Sequence, residues 1–255
     1  MTDKVVAVRT DNIHLLAWTQ FDSALADRLT GWNTDAEGGQ ALAEFAGRAC
    51  YQSFSKPNPA TATNAGYMDH IMDVGHFSIL EHGTATFYFE EVPRSFTHEL
   101  VRHRHFSYSQ LSQRFEDEYK RGVDPVYPPD ADVTERNHIL EAHEYAMNKY
   151  KLILDRRLAR QGEAKQGVKQ AREAARSVLL NANETKIVVT GNYRAWRHFI
   201  DMRATPHADL AMNVIAIGVL NKLIQLAPNV FDDYLVDEVT VGGVTRLVAE
   251  SKYAK

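Results

Sequence analysis

Cysteine is all but missing from this sequence. Cys50 is the only one in 255 residues, which excludes an intrachain disulfide and a clustered thiolate metal site. No Gly-x-Gly occurs, so neither the dinucleotide fingerprint nor the phosphate-loop motif is present, and a nucleotide must be held by another device. Long apolar runs are lacking too: the longest, Val214 to Leu220, is far below the roughly 18 residues of a membrane span. The opening MTDKVVAVRTD carries charge where a signal peptide needs an apolar stretch, so a cytoplasmic location is expected. Nor is charge of one sign in excess. The 29 basic and 33 acidic residues leave −4, which argues against a chain that wraps nucleic acid or coats an anionic membrane.

What is present reads as alternating strands and helices. Val5 to Val8, then Ile13, Leu15 and Ala17, predict opening strands. Leu42, Phe45, Ala46, Ala49 and Cys50 share one helical face, with Cys50 read as a small buried hydrophobe, and Tyr67, Met68, Ile71 and Met72 mark a second helix. Thr84 to Glu90 (TATFYFE) alternates as a strand. Pro93 suits the first turn of a helix that buries Phe96 and Leu100 and ends within RHRHFSYSQLSQRF. A proline-rich loop from Asp117 to Asp130 leads to an Asp132-x-x-Glu135 capping box, which opens a long amphipathic helix carrying His143, Met147, Tyr150 and Leu154. Further on are an alanine-rich helix near Val168 to Leu180, a strand at Ile187 to Thr190 and two helices flanking Pro206. The second of these, about Ala208 to Leu226, is apolar nearly all round. Gly242-Gly243 marks a terminal β-hairpin over about 236–249. With no repeat and no Gly/Ser linker, the pattern predicts one α+β domain over residues 1–255.

Three clusters could carry chemistry. Arg102 to Arg114 (RHRHFSYSQLSQR) holds three arginines, two histidines, three serines and two glutamines without a carboxylate, which suits an anion. Cations closing a helix C-terminus would need no ligand. Gly75 to His82 (GHFSILEH) could line a polar pocket or be a surface turn. Gly191 to Arg203 (GNYRAWRHFIDMR) interleaves Arg194, Arg197, His198 and Arg203 with Tyr193, Trp196, Phe199 and Ile200, which read as core, and a partly buried arginine demands a partner. No metal is expected, because Arg102 and Arg104 would repel a cation from His103 and His105. These clusters leave open a protein that binds RNA or a nucleotide, stacking bases on Phe106 and Tyr108, and a hydrolase whose metal sits on His76, His82, His103 and His105.

In the chain order GHFSILEH, RHRHFSYSQLSQR, GNYRAWRHFIDMR, with an ARSVLLN helix between the last two, these motifs resemble the flavin-dependent thymidylate synthase family. Its signature is Arg-His-Arg, seven residues, then serine, here Arg102 to Ser112. The similarity covers about residues 34–228. The resemblance implies an α/β unit with a mixed sheet and long helices, assembled as a homotetramer whose active sites are shared between subunits. It implies reductive methylation of dUMP to dTMP, with methylenetetrahydrofolate as carbon donor, FAD as hydride donor, NADPH as reductant, and no nucleic acid or membrane partner.

Carried across residue by residue, the resemblance places FAD at Ser78 and Glu81, at Arg102, His103, Arg104 and Gln110, and at Asn192, Tyr193, Arg194 and His198. It places dUMP at Arg94, at Glu99, Leu100, Val101 and Arg102, and at Gln110, Leu111, Ser112, Gln113 and Arg114, with Arg176 and the catalytic Arg203 at the uracil. Ser112 is read as a phosphate ligand, since no histidine–carboxylate pair is identifiable to activate it. His76 and His207 match positions near flavin and folate. Phe115 stands where the family often has tyrosine, and Leu180 where proline is common.

Overall fold

The computed structural model describes residues 7–56, 58–162 and 164–254. Val5 and Val6 lie outside that range. The elements run β1 (Ile13–Trp18), α1 (Ser23–Thr30), α2 (Gly38–Tyr51), α3 (Asn64–Asp73), β2 (Thr84–Pro93), α4 (Arg94–Leu100), β3 (Ser107–Gln110), α5 (Glu118–Arg121), α6 (Val133–Gln161), α7 (Lys165–Ala175), β4 (Glu184–Asn192), α8 (Tyr193–Arg203), α9 (Leu210–Leu226), α10 (Pro228–Phe231), β5 (Tyr234–Val241) and β6 (Val244–Ser251). The class is α+β. One sheet has the order β1-β2-β4-β3, and β5 pairs with β6 separately. The expected mixed sheet is corrected to an antiparallel one. Thr86 meets Thr190 while Glu90 meets Lys186, so β2 and β4 run oppositely. Thr19 meets Thr84 while Asn12 meets Glu91, so β1 and β2 are antiparallel as well.

Two compact units emerge, with β2 and β4 contributing residues to both. The first contains the described residues up to Asn12, then Phe89–Arg102 and Tyr108–Val188. Here the capping box forms as the sequence predicts: Asp132 accepts from Glu135 N, and the Glu135 carboxylate accepts from Asp132 N. Tyr150 and Leu154 of α6 pack on Ala171 and Ala175 of α7, two small residues that let the helices approach closely. Helix α4 ends at Leu100, before the basic run and not within it. The Tyr108 hydroxyl donates to the Leu100 carbonyl at 2.6 Å, satisfying one of the acceptors that a helix C-terminus leaves unpaired. Ser107–Gln110, unrecognised as a strand in the sequence, is half exposed and alternates accordingly. The proline-rich loop likewise contains α5.

The second unit contains Ile13–Tyr88, His103–Ser107 and the chain from Val189 onward. Tyr193, Trp196, Phe199 and Ile200 form the buried stripe of α8, and Trp196 Nε1 donates to the Ala85 carbonyl at 3.1 Å. Gly191 must be glycine, because a Cβ there would overlap the Phe106 ring. Helix α9 buries residues on every side, as its composition predicts. Helix α2 does not follow its apolar stripe. It buries Glu44 and Arg48, paired at 2.7 Å, and leaves Cys50 exposed, which corrects the reading of that thiol as a core group. The reason is the partner surface: Asn64, Thr34 and the Thr61 carbonyl supply polar contacts to that face. Gly242 and Gly243, both at positive φ, turn the hairpin, which runs two residues further at each end than the sequence suggests.

Candidate active site

In the second unit a cavity of about 400 Å³ is lined by Glu81, His105, Asn192, Arg194, Ala195 and His198. The GHFSILEH segment forms a 3-10 turn, Phe77–Glu81, that leaves Ser78 and Glu81 exposed. Asn192 caps α8 by accepting from Ala195 N at 2.8 Å, and four-residue spacing then puts Arg194 and His198 on one face. Arg194 Nη1 pairs with Glu81 Oε1 at 2.6 Å, with both side chains about half exposed, 55% and 48%. Such a pair is weak and leaves the guanidinium available to a stronger anion. Tyr193 is different. Its ring is fully buried against Phe231, and burial pushes its hydroxyl up to about 12, so its side chain belongs to the core.

His103 is buried and Arg104 exposed. The His103 ring lies edge-on to Phe199 at 5.2 Å and accepts from Arg203 Nε at Nε2, 3.0 Å away. Burial, and then the charges of Arg203, His198 and His105, hold its pKa down at about 4. At neutral pH the ring is uncharged, and Nε2 keeps the lone pair that Arg203 needs. The unfolded chain binds this proton below the ordinary value of 6.5, while the folded ring refuses it until about 4. Stability from this group is therefore complete above pH 6.5 and lost as pH falls toward 4, by about 3 kcal/mol. Urea midpoints of wild type and His103→Gln should converge between pH 7 and pH 4.5; a constant gap would contradict the uncharged ring.

In the first unit, Arg94 opens α4 half-buried. Burial disfavours its charge, Glu118 compensates, and Arg176, exposed on the turn after α7, adds repulsion. Gln110 Nε2 donates to Thr97 Oγ1 at 2.9 Å. Leu100 is core, while Glu99 is half-buried and Val101 and Arg102 are exposed beside it. After Leu111, whose amide donates to Lys186 O, Ser112 to Glu116 form a turn in which the Ser112 carbonyl accepts from Phe115 N and Glu116 N. Gln113 is buried and its Nε2 has no hydrogen-bond partner among the described residues, an orphan that costs about 1–3 kcal/mol unless an acceptor arrives.

Arg114 pairs with Glu173 at 3.0 Å and lines a cavity of about 580 Å³ with Phe115, Lys165, Gln166, Val168, Lys169 and Arg172. The sequence reading missed Lys165, Lys169 and Arg172. Their signal was the spacing 165, 169, 172, which sets three cations along one face of α7. This donor set fits a phosphate.

The family model described as "Thymidylate synthase complementing protein" matches residues 33–229, a span that contains all three motif clusters. The chain belongs to that family. Curated relatives named "Flavin-dependent thymidylate synthase" bear this out. The protein from Mycolicibacterium vanbaalenii is 56% identical over 227 residues, covering 87% of this chain and 89% of its own. Those from Mycobacterium bovis and Mycobacterium marinum are 54% and 52% identical over 235 residues, covering 90% of this chain and 92% of theirs.

For this family member, the base-stacking reading loses its footing at Phe106. Phe106 is buried 4.3 Å from Trp196 and presents no ring for stacking bases, while Tyr108 is half-buried and tied to Leu100 through its hydroxyl. Among the described residues no three His, Cys, Asp or Glu side chains are grouped to hold a metal, and no helix is long and apolar enough to cross a membrane. His76 and His207 are both exposed.

Proposed function

We propose that the chain is a thymidylate synthase of the flavin-dependent kind, converting dUMP, methylenetetrahydrofolate, NADPH and a proton into dTMP, tetrahydrofolate and NADP⁺. The observation that carries the reading is identity above 50% to relatives of that name over about nine-tenths of the chain. FAD would lie against Ser78, Glu81, Asn192, Arg194 and His198, where the N-terminus of α8 and a half-exposed guanidinium suit its diphosphate. Reduced by NADPH, it would supply the hydride that completes the methyl group. The motif residues Arg102, His103, Arg104 and Gln110 complete the proposed flavin set.

The chain's own residues then bind and polarise. Ser112, Gln113 and Arg114 would hold the 5′-phosphate of dUMP, with the buried orphan Gln113 Nε2 as one waiting donor. Arg94, Glu99 to Arg102 and Arg176 would bound the nucleotide. Arg203, permanently cationic, would stabilise negative charge on the uracil N3–C4 or O2 region, so that the ring attacks the methylene carrier without a covalent enzyme nucleophile. Exposed Cys50 has no part in this. A cytoplasmic homotetramer of single catalytic domains with shared active sites fits the reading, which requires no one subunit to close a site.

The test is dTMP formation by purified protein given FAD, NADPH, dUMP and methylenetetrahydrofolate, beside Cys50→Ala and beside a sample without FAD. Product is expected only with FAD, at an undiminished rate in Cys50→Ala. Bound flavin that bleaches with NADPH yet yields no dTMP would replace the proposal with another oxidoreductase activity.

A further inference from the structure

Arg203 is the last residue of α8, where a long flexible side chain would ordinarily sweep a wide arc, yet its backbone is fixed at two points. The Arg203 carbonyl accepts from Asn213 Nδ2 at 3.4 Å, and the same amide group donates to the Leu247 carbonyl at 2.9 Å. One residue on, the Ala204 carbonyl accepts from Ala249 N of β6 at 2.8 Å. Asn213 is fully buried, so this anchorage is shielded from water.

The side chain is fixed at a third point, the 3.0 Å bond from Nε to His103 Nε2. Nε–H lies in the guanidinium plane, so an acceptor there sets the rotation of that plane and leaves the two Nη groups directed elsewhere. The acceptor is itself immobile. His103 is 8% exposed, edge-on to Phe199 at 5.2 Å and 6.2 Å from Phe106, whose ring rests 4.3 Å from Trp196. Local sequence does not suggest this pairing, since the partners lie 100 residues apart.

We infer that His103 is a positioning residue for Arg203, orienting its guanidinium through the Nε2 lone pair, and is more than a flavin contact. The inference rests on the role proposed for Arg203. A planar cation that must meet a developing charge gains from a single rotation, and displacement of a reacting group by about 1 Å costs on the order of 10²-fold in rate.

The experiment compares His103→Leu, His103→Gln, Arg203→Ala and the double variant His103→Leu/Arg203→Ala, each purified with FAD. Flavin content is read by absorbance, dUMP Kd by calorimetry, and kcat and KM by dTMP formation. Leucine removes the acceptor; glutamine returns an oxygen near the Nε2 position. Expected are flavin that is bound less tightly but still saturates both histidine variants at excess FAD, a fall of roughly 10–100-fold in kcat/KM for His103→Leu at that saturation, partial recovery in His103→Gln, and no further loss when His103→Leu is added to Arg203→Ala. Flavin lost from both histidine variants even at excess FAD would overturn the inference in favour of a flavin ligand alone. So would parental kinetics in His103→Leu beside an inactive Arg203→Ala, or additive losses in the double variant. Parental turnover in Arg203→Ala would instead remove the underlying role of Arg203, and the inference with it.

Discussion

Replacing Arg203 by alanine is expected to slow dTMP formation on the order of 10²–10³-fold, the usual cost of losing a preorganised donor aimed at developing charge. The loss should fall on kcat more than on the KM for dUMP, because other residues, Ser112 to Arg114, are proposed to bind the phosphate. Arg203→Lys should recover little. A lysine keeps the charge but has no Nε–H at the position that His103 accepts and no planar fork to present. Single-turnover kinetics with dUMP and methylenetetrahydrofolate separate chemistry from product release. Parental single-turnover rates in Arg203→Ala would remove that residue from the mechanism.

Arg197→Ala is expected to have the largest effect on stability. The Arg197 and Asp233 side chains are 6% and 5% exposed and meet bidentately, Nη1 to Oδ1 at 2.5 Å and Nη2 to Oδ2 at 2.8 Å. Nη2 also donates to Ser251 Oγ, and Nη1 to the Val230 carbonyl. One guanidinium thus ties α8 to the start and finish of the terminal hairpin. Removing it leaves the Asp233 carboxylate buried without its counter-charge, a change that costs about 3–5 kcal/mol. The melting temperature should drop by roughly 6–20 °C, and added salt should not mask the drop, since buried pairs are little screened. Arg197→Lys should lie between the two, retaining charge without the fork. Calorimetry that found no change in Tm would mean that the hairpin is not held through this pair. The effect should reach the site as well, because α8 carries Arg194, His198 and Arg203.

Much of this molecule was legible in one dimension, and for definite reasons. The Asp132–Glu135 capping box and the Gly242-Gly243 turn each express an interaction made within a few residues, and the alternation of TATFYFE expresses a strand with one buried face, so local pattern suffices. The stripe Tyr193, Trp196, Phe199 and Ile200 was equally plain, because one helix face packed wholly on apolar neighbours declares itself by spacing. The motif Arg102 to Ser112 identified the family and, through it, the chemistry that this chain is proposed to perform.

Other features depended on what the chain meets elsewhere. Cys50 sat on an apolar stripe but faces solvent, because the surface opposite α2 offers Asn64 and Thr34 and so draws Glu44 and Arg48 inward. Ser107–Gln110 is a strand only because β4 lies beside it, as the Leu111 to Lys186 bond records. The sequence by itself determined the longest elements, the family and the residue types available for anion and flavin recognition. Tertiary structure alone decided which of those groups are paired, neutral or buried. Arg197 finds Asp233 36 residues away and His103 finds Arg203 at a separation of 100, and the protonation and orientation of such groups follow from the desolvation and charge around them, which no local spacing encodes.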